Sequence, residues 1–358
     1  MNKNFSVLQK FWKGKKVFIT GHTGFKGSWL SIFLNMLDAE VYGYSLKPHK
    51  NSLFMSAKCY EFLSKNIYGD INNYNLLEKS IKKCSPDIIF HLAAQPLVSE
   101  SFNDPIYTLK TNAVGTANLL YSVRKNKKIK SVVIVTTDKV YKVLNKKQIF
   151  KETDEIGGKD PYSASKACAE LITKSYIETV IDKKLKNRIS TARSGNVIGG
   201  GDYSKNRLIP DIIDSINKKK TLVIRNPQNI RPWQHVIEPT FGYIKLAEML
   251  YYSKFLQKNP SWNFGPENKS FVTVMKIVQL IKKNTKKLNI KIKNSKNFYE
   301  TKVLKLNSNK SKKELKWKPK WNLNLSLKKV LEWNYLFNKK INAKKICEEQ
   351  IKDYLRII

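Results

Sequence analysis

Short apolar runs alternate with longer mixed stretches along the first half of the chain. The apolar runs predict buried strands, and they lie at 17–20, 39–45, 87–95 and 131–138, with a further strand and its exit loop at 189–199. The mixed stretches predict helices, and they lie after Gly27, at 104–125 and at 162–180. Strands that alternate with helices of this length indicate a parallel sheet covered on both faces.

Composition narrows the class of protein. The chain has 358 residues, which is enough to bury one large core or two smaller ones. No apolar run reaches the length of a membrane span, and the first residues lack a signal-peptide core, so a cytoplasmic location without membrane attachment is expected. Four cysteines without paired spacing predict neither a metal site nor a disulfide framework.

The net charge of +39 invites a nucleic-acid interpretation, but the distribution of charge argues against it. The 67 basic residues include seven arginines, so 60 are lysines, and these are spread from end to end rather than gathered in a patch. We therefore expect no nucleic-acid partner. Arginine is distributed differently, because Arg193, Arg207, Arg225 and Arg231 fall within one short part of the chain.

Glycines recur at a three-residue spacing in "GHTGFKG", where Gly21, Gly24 and Gly27 lie between a predicted strand and a predicted helix. A turn of this kind lets the backbone approach a pyrophosphate and directs a helix N-terminus at it. The sequence therefore predicts an α/β fold with a Rossmann-type doubly wound parallel sheet. An acidic residue at the end of the second strand would hold an adenosine ribose, but that position reads Tyr44-Ser45-Leu46-Lys47, which leaves NAD and NADP both open.

A tyrosine followed four residues later by lysine occurs at Tyr121, Tyr162 and Tyr335, about as often as chance allows in so lysine-rich a chain. The spacing puts a phenol and an amine on one helical face. A nearby ammonium and a cationic nicotinamide ring would both favour the phenolate, which makes such a tyrosine a usable base. Context selects Tyr162 and Lys166, which follow a strand with polar residues at its end, downstream of the glycine turn.

The strand end in question is "TTDKVY", where Thr137, Asp138 and Lys139 succeed one another. A strand that leaves the core often turns polar for no functional reason. The alternative is that a hydroxyl, a carboxylate and an amine serve the same reaction centre as Tyr162.

These stretches together resemble the extended short-chain dehydrogenase/reductases that act on nucleotide sugars, in particular their 4,6-dehydratases. Within that family the chain is most similar to the enzymes that use CDP-hexoses, and the resemblance covers nearly the whole chain. It is carried by "GHTGFKG", "FHLAAQPLV", "TTDKVY", "DPYSASK", "RSGNVIGGGD", "IRNPQNIRPWQHV", "WNFGP" and "LKLNSNKSKKELKWKPKW".

The resemblance implies a role for each candidate residue. Thr137 would help Tyr162 hold the sugar 4-hydroxyl, Asp138 would favour dehydration over epimerisation, and Lys139 would act as the base at C5 or as a cation that stabilises the enolate. The NAD cofactor would lie on Gly21, Thr23, Gly24, Phe25, Lys26, Gly27, Asp70, Ile71, Leu92, Ala93 and Ala94, with Tyr162 and Lys166. The nucleotide sugar would be bound by Gln95, Asn196, Arg207 and Arg231.

The resemblance also implies an architecture. A cofactor domain is expected over 11–197, with later segments near 222–262 returning to it, and a smaller mixed C-terminal domain for the nucleotide sugar over 198–221 and 263–345. The helix at 104–125 and the helix that carries Tyr162 would form the contact of a homodimer or of a dimer of dimers. Two alternatives stay open, a dehydratase for a GDP-, dTDP- or UDP-sugar and an epimerase on the same scaffold. Arg193, on a strand, and His235 are as readily explained as structural residues.

Overall fold

The computed structural model describes residues 3–145, 148–253, 259–285, 288–293 and 301–358. Its strands are β1 (Lys16–Thr20), β2 (Glu40–Ser45), β3 (Lys65–Tyr68), β4 (Ile88–His91), β5 (Ser131–Thr137), β6 (Ile189–Ser194), β7 (Val197–Ile198), β8 (Leu222–Ile224), β9 (Ile230–Pro232), β10 (Gln234–His235), β11 (Ser261–Phe264), β12 (Phe271–Thr273) and β13 (Ile290–Ile292).

The α-helices include those that cover the two faces of the main sheet. They are α1 (Lys3–Trp12), α2 (Phe25–Met36), α3 (Leu53–Ser56), α4 (Tyr74–Cys84), α5 (Val98–Asn103), α6 (Pro105–Leu109), α7 (Gly115–Val123), α8 (Pro161–Thr179), α9 (Lys183–Lys186), α10 (Leu208–Lys218), α11 (Ile237–Tyr252), α12 (Val274–Thr285), α13 (Asn309–Glu314), α14 (Leu323–Asn338) and α15 (Ala343–Leu355). A π-helical turn, Lys110–Val114, joins α6 to α7.

Seven strands form one parallel sheet in the order β11-β6-β5-β4-β1-β2-β3. β5 is buried along its whole length and is rich in β-branched residues, as befits a central strand covered on both faces. One apolar cluster fills the face covered by α2, α11 and α15, and a second fills the face covered by α4 and α7. The predicted parallel sheet with helices on both faces is confirmed.

The bounds of two predicted elements differ from those of the structure. α2 begins at Phe25, two residues before Gly27, because Gly24 already has the extended backbone of an N-cap. The predicted helix at 104–125 is broken by the π-helical turn, which lies against α8. The elements that had not been predicted include α1, β3, α4 and α15.

The chain beyond β6 divides its elements between two places. α11 packs on the main sheet and β11 extends it, whereas β8 pairs with β13 and β9 with β12 outside it. A separate apolar cluster joins α10, α12 and α14 around these small sheets. Residues 254–258, 286–287 and 294–300 of the segments assigned to the two predicted domains lie outside the described residues. In the described part of the chain, no helix combines the length and the apolarity needed to cross a bilayer.

The turn between β1 and α2 depends on one glycine. Gly21 has φ +76°, and a Cβ there would lie 2.6 Å from the carbonyl carbon of Leu92 and from the amide nitrogen of Ala93. Gly27 packs as closely, because its Cβ would lie 2.2 Å from the Gly21 carbonyl oxygen. Gly21 therefore lets the turn approach the loop that follows β4, and Gly27 lets the start of α2 approach the turn itself.

Replacing Gly21 with Ala tests this contact, with Gly14→Ala as the matched control. Gly14 also has positive φ (+70°), but no heavy atom lies within 4 Å of its Cβ position. Backbone strain alone should lower the free energy of unfolding by about 1–2 kcal/mol in both variants. Gly21→Ala should lose at least about twice as much as the control, because the added methyl group also clashes with the backbone. Urea unfolding measures both, and equal losses would contradict the steric argument.

The C-terminal helix is held by a buried carboxylate. Glu238, at the start of α11, accepts hydrogen bonds from the backbone N–H groups of Lys320 (2.8 Å) and Trp321 (2.6 Å) and from the Tyr354 hydroxyl of α15 (2.6 Å). Burial raises the pKa of Glu238 to about 7, although these donors favour the ionised form. The carboxyl therefore titrates near neutral pH while it ties α11 to α15.

This group should make stability depend on pH. The unfolded chain releases the Glu238 proton near its ordinary pKa of 4.5 and the folded chain only near 7, so this contribution to stability falls as the pH rises through that window. Relative to Glu238→Gln, the wild-type protein should lose up to about 3 kcal/mol of unfolding free energy between about pH 5 and about pH 8. Chemical unfolding of both proteins at the two pH values measures the change. A difference that does not vary with pH would exclude this origin.

Candidate active site

Two segments distant in sequence meet at the carboxyl end of β5. Thr137 is the last residue of that strand, and Asp138 opens the short 3-10 turn that follows. Tyr162 lies in the first turn of α8, with its phenol near enough to the Thr137 hydroxyl for that hydroxyl to favour the phenolate. The Thr137 hydroxyl donates to Asp138 Oδ1 (3.1 Å). A phenol, a hydroxyl and a carboxylate therefore lie side by side.

The start of α8 places Tyr162 firmly. Asp160 caps the helix by accepting from the Ser163 amide (2.9 Å), and Ser163 bonds back to Asp160. Pro161 at the first helical position fixes φ in the helical range. Tyr162 is 8% exposed, whereas Tyr121 and Tyr335 of the other two Tyr-x-x-x-Lys matches are 43% and 64% exposed. Burial thus distinguishes the pair that sequence context had selected.

Lys166 lies one turn after Tyr162, and its Nζ donates to the Val135 carbonyl (3.4 Å). Burial lowers the pKa of Lys166 to about 8, so the amine can change charge near neutral pH. Burial raises the pKa of Tyr162 to about 12, and the Arg207 guanidinium and the Thr137 hydroxyl oppose that shift. Further positive charge beside Tyr162 would be required to make it a base.

Asp138 is buried almost completely. Burial raises the pKa of this carboxyl, against the opposing charge of Lys139, and so favours the protonated form. Gly195 lies next to it, since a Cβ there would come within 3.0 Å of Asp138 Oδ2. Lys139 is half-buried, with Nζ 5.9 Å from the centre of the Tyr162 ring. The neighbours of Asp138 suit a proton donor.

Lys26 reaches the same place from the glycine turn. Its Nζ lies 2.7 Å from the hydroxyl of Ser194, which in turn accepts from the Tyr243 hydroxyl (2.8 Å). Burial, with Arg207 and Lys166 nearby, lowers the pKa of Lys26 to about 7. The side chain of Lys26 thus lies among the predicted catalytic residues, although the sequence had suggested only a cofactor contact.

The glycine turn fits the pyrophosphate of a dinucleotide. Gly24 is the N-cap of α2 and offers no side chain to its first N–H groups, so these donors remain for an anion. Thr23 hydrogen-bonds the Ser45 hydroxyl (2.8 Å) and the Leu46 carbonyl (3.1 Å) at the end of β2. Hydroxyl groups therefore occupy the place where an acidic residue would have met a ribose.

The remaining predicted cofactor residues follow the neighbouring strands. Asp70 comes after β3 and accepts from the amide nitrogen (2.9 Å) and the side chain (3.0 Å) of Asn72, and Ile71 is buried against Gly115. The loop after β4 is partly buried and contains Leu92, Ala93 and Ala94. Phe25 is half-buried beside Gly199. The carboxyl ends of β1 to β4 thus surround the glycine turn, and the roles of these residues stay predictions.

The predicted substrate residues lie in β9, at the start of α10 and in the loops after β4 and β6. Arg231 is buried near enough to Asp138 to influence its charge, and its Nη1 donates to the carbonyls of Ile230 (3.0 Å) and Lys302 (3.3 Å). Arg207 is more open, 3.6 Å from Asp202 Oδ2. Asn196 is half-buried in the loop after β6.

Gln95 differs from the other three. Its side-chain amide donates to Thr108 (2.8 Å), and its Oε1 accepts from the Leu97 amide (2.6 Å). Both ends of the side chain are thus used in packing the loop. A contact between Gln95 and a sugar stays a prediction.

Two residues with open assignments are structural. Arg193 forms a buried ion pair with Glu170, with Nε 2.9 Å from Oε1. His235 is fully buried between the rings of Trp29 and Trp321, and burial lowers its pKa to about 3. Glu170 and Ser194 were both missed at the sequence level, although Glu170 follows Lys166 by one helical turn.

Known proteins resemble the chain over most of its length. A family profile described as GDP-mannose 4,6 dehydratase matches residues 18–330. A CDP-glucose 4,6-dehydratase of Salmonella typhimurium is 41% identical over 329 residues, which cover 90% of each protein. A dTDP-D-glucose 4,6-dehydratase of Dictyostelium discoideum is 32% identical over 242 residues, 62% of this chain and 53% of that protein.

Solved structures of related enzymes share the fold of this chain. A dTDP-glucose 4,6-dehydratase from Bacillus anthracis, solved in complex with NAD, superposes with a TM-score of 0.76 at 25% identity and covers 90% of this chain and 97% of its own. An epimerase from Methanothermobacter thermautotrophicus, 21% identical, has the same fold with a TM-score of 0.78 over 94% of this chain and 98% of its own. The chain belongs to the GDP-mannose 4,6 dehydratase family within the extended short-chain dehydrogenase/reductases.

Proposed function

We propose that this chain is a CDP-glucose 4,6-dehydratase, which converts CDP-D-glucose to CDP-4-keto-6-deoxy-D-glucose and water with NAD as its cofactor. The observation that carries the proposal is the buried Asp138 at the end of β5, hydrogen-bonded to Thr137 and with Tyr162 next to both. A chain-long similarity to a CDP-glucose 4,6-dehydratase supports the choice of nucleotide.

Bound NAD would supply the redox chemistry, as acceptor of a hydride from sugar C4 and as its donor to C6. Tyr162 receives the proton of the 4-hydroxyl, which Thr137 orients by hydrogen bonding. The positive charges of Lys166 and of the oxidised cofactor favour the phenolate that this step requires. Gly21, Thr23, Gly24, Phe25, Lys26 and Gly27 would bind the cofactor beside the first turn of α2, with Asp70, Ile71, Leu92, Ala93 and Ala94 along the adjoining strand ends.

Asp138 and Lys139 carry out the elimination. A ketone at C4 makes the C5 hydrogen acidic, and Lys139 removes that proton or stabilises the resulting enolate. Protonated Asp138 gives its proton to the departing C6 hydroxyl, which leaves as water, and its raised pKa suits that role. A proton then returns to C5 as the hydride returns to C6, so the cofactor ends as it began and the sugar has lost one water.

The nucleotide sugar is held by cations and amides. Arg231 and Arg207 would bind the diphosphate, because guanidinium groups match phosphate oxygens in pairs. Asn196 would lie near the same phosphates, and Gln95 would face the sugar. The division into a cofactor domain and a nucleotide-sugar domain at the predicted boundaries belongs to the same proposal.

The assembly and setting follow the family. Apolar side chains stand exposed on the helices predicted to form the dimer contact, among them Ile106 (61%), Val114 (50%) and Leu171 (55%). A homodimer or a dimer of dimers would cover them, and a single-chain mass in light scattering would contradict it.

We place the enzyme in the cytoplasm, supplying deoxysugars for a surface polysaccharide. The alternative function is that of a nucleotide-sugar epimerase, and the acidic residue Asp138 argues against it.

The direct test offers CDP-, dTDP-, UDP- and GDP-hexoses to the wild-type protein and reads by mass spectrometry which of them loses water. CDP-glucose should be dehydrated in preference to the others. With deuterium at C4 of that sugar, the label should reappear at C6 of the product. Dehydration of another nucleotide sugar would correct the substrate, and a label lost to solvent would exclude internal hydride transfer.

Lys139→Met tests whether Lys139 acts at C5. If the amine removes the C5 proton, the variant should still oxidise C4, seen as a rise in reduced-cofactor absorbance, while exchange of the C5 hydrogen with solvent falls by about 10²–10⁴-fold. Deuterium incorporation at C5, measured by mass spectrometry, reports the exchange. Exchange at the wild-type rate would rule out the base, and it would rule out enolate stabilisation as well, because C5 exchange passes through the enolate.

A further inference from the structure

The buried carboxylate of Glu170 lies behind the catalytic residues and has no part in the reaction proposed above. Glu170 follows Tyr162 and Lys166 on one face of α8, at successive four-residue steps. Its oxygens take two bonds from Arg193, Nε to Oε1 and Nη2 to Oε2, both at 2.9 Å. Burial opposes its ionisation, but Arg193 and neighbouring hydroxyls hold the pKa of this carboxyl below its usual value.

This ion pair connects both segments that supply the catalytic groups. Glu170 Oε1 accepts from the hydroxyl of Thr136, the residue before Thr137 on β5. Arg193 Nη1 donates to the Tyr141 hydroxyl (2.8 Å), at the end of "TTDKVY". The carboxylate belongs to α8 and the guanidinium to β6, and their bonds to Thr136 and Tyr141 tie the helix of Tyr162 to the segment that bears Thr137 and Asp138.

The donors around the pair are well satisfied. The hydroxyls of Thr191 (2.6 Å) and Ser261 (3.2 Å) also donate to Glu170 Oε2. The Tyr141 hydroxyl donates a hydrogen bond to Asn263 Oδ1 (2.7 Å). Breaking one member of such a buried network leaves charged or polar groups without partners, which is costly. The geometry between α8 and β5 is therefore held more rigidly than helix packing alone would hold it.

We propose that the Glu170–Arg193 ion pair is a positioning device that fixes the Tyr162 phenol against the Thr137 hydroxyl. The proposal rests on the reaction proposed above, for which these two groups must meet the same sugar hydroxyl. Displacements of about 1 Å at reacting groups cost enzymes about 100-fold in rate. Glu170 also raises the pKa of Lys166 against the effect of burial, so its negative charge helps to keep that amine protonated.

A matched pair of variants tests the positioning role. Thr136→Val and Thr191→Val each remove one hydroxyl donor to the same carboxylate from a buried site, and valine keeps the shape of threonine. Only Thr136 adjoins a catalytic residue, whereas Thr191 lies in the middle of β6. We expect kcat to fall by about 10- to 100-fold in Thr136→Val and by less than about twofold in Thr191→Val, with KM little changed in both.

Glu170→Gln adds an electrostatic readout. Without the carboxylate the pKa of Lys166 falls below about 8, so the amine loses its charge at lower pH. The alkaline limb of the pH–rate profile should move to lower pH in this variant, while Glu238→Gln, a change at another buried carboxylate, should leave it in place. An unmoved limb together with equal kcat values for the two threonine variants would overturn the proposal.

Amide hydrogen exchange tests the device without any substrate. In Glu170→Gln, peptides covering 136–141 and 161–166 should exchange faster than in the wild-type protein, and peptides of β1 and β2 should not change. If the wild-type protein dehydrates none of the nucleotide sugars, the proposed function fails while exchange still decides whether the pair holds the two segments. Unchanged exchange in both peptides would overturn the positioning role.

Discussion

Parallel pairing of neighbouring strands is the constraint on which the site depends. In a parallel sheet all carboxyl ends lie at one edge, so groups far apart in sequence arrive together there. Thr137 of β5 pairs in register with Ser194 of β6, and Thr20 of β1 with His91 of β4. The turn at Gly21 can then touch the loop after β4, while Asp138 extends from β5 toward Gly195. Neither half of the site would exist without the register of the sheet.

Burial sets the charges of this edge. It lowers the pKa of Lys26 to about 7 and that of Lys166 to about 8, and it raises the pKa of Asp138. Each group is therefore driven toward its neutral form in the protein alone. A diphosphate near the amines would favour their charged forms, and a positive nicotinamide ring near Tyr162 would favour the phenolate. Bound molecules with these charges would therefore favour the charged forms that burial disfavours.

Sequence predicted those parts of the molecule whose cause is local. The glycine spacing, the apolar runs of β1, β4 and β5, and the Tyr162–Lys166 pair are readable because each reflects a backbone or helical period. Lys26, by contrast, was placed at the cofactor, since only the fold brings its amine to Ser194. α15 was missed because its docking depends on Glu238, more than a hundred residues away. Glu170 went unnoticed because its partner, Arg193, comes from β6, a separate segment of the chain.

The basic residues show how far composition can mislead. Several lysine ion pairs are exposed, as in Lys58–Glu61 and Lys218–Asp214, where the net gain is about 0–1 kcal/mol. Arg193 instead places three nitrogens on three defined oxygen atoms, an arrangement that a single ammonium cannot reproduce. Arg193 belongs to the cluster of arginines between 193 and 231, and its fork geometry serves a carboxylate inside the protein. Seven arginines among 67 basic residues therefore carry more structural information than the net charge of +39.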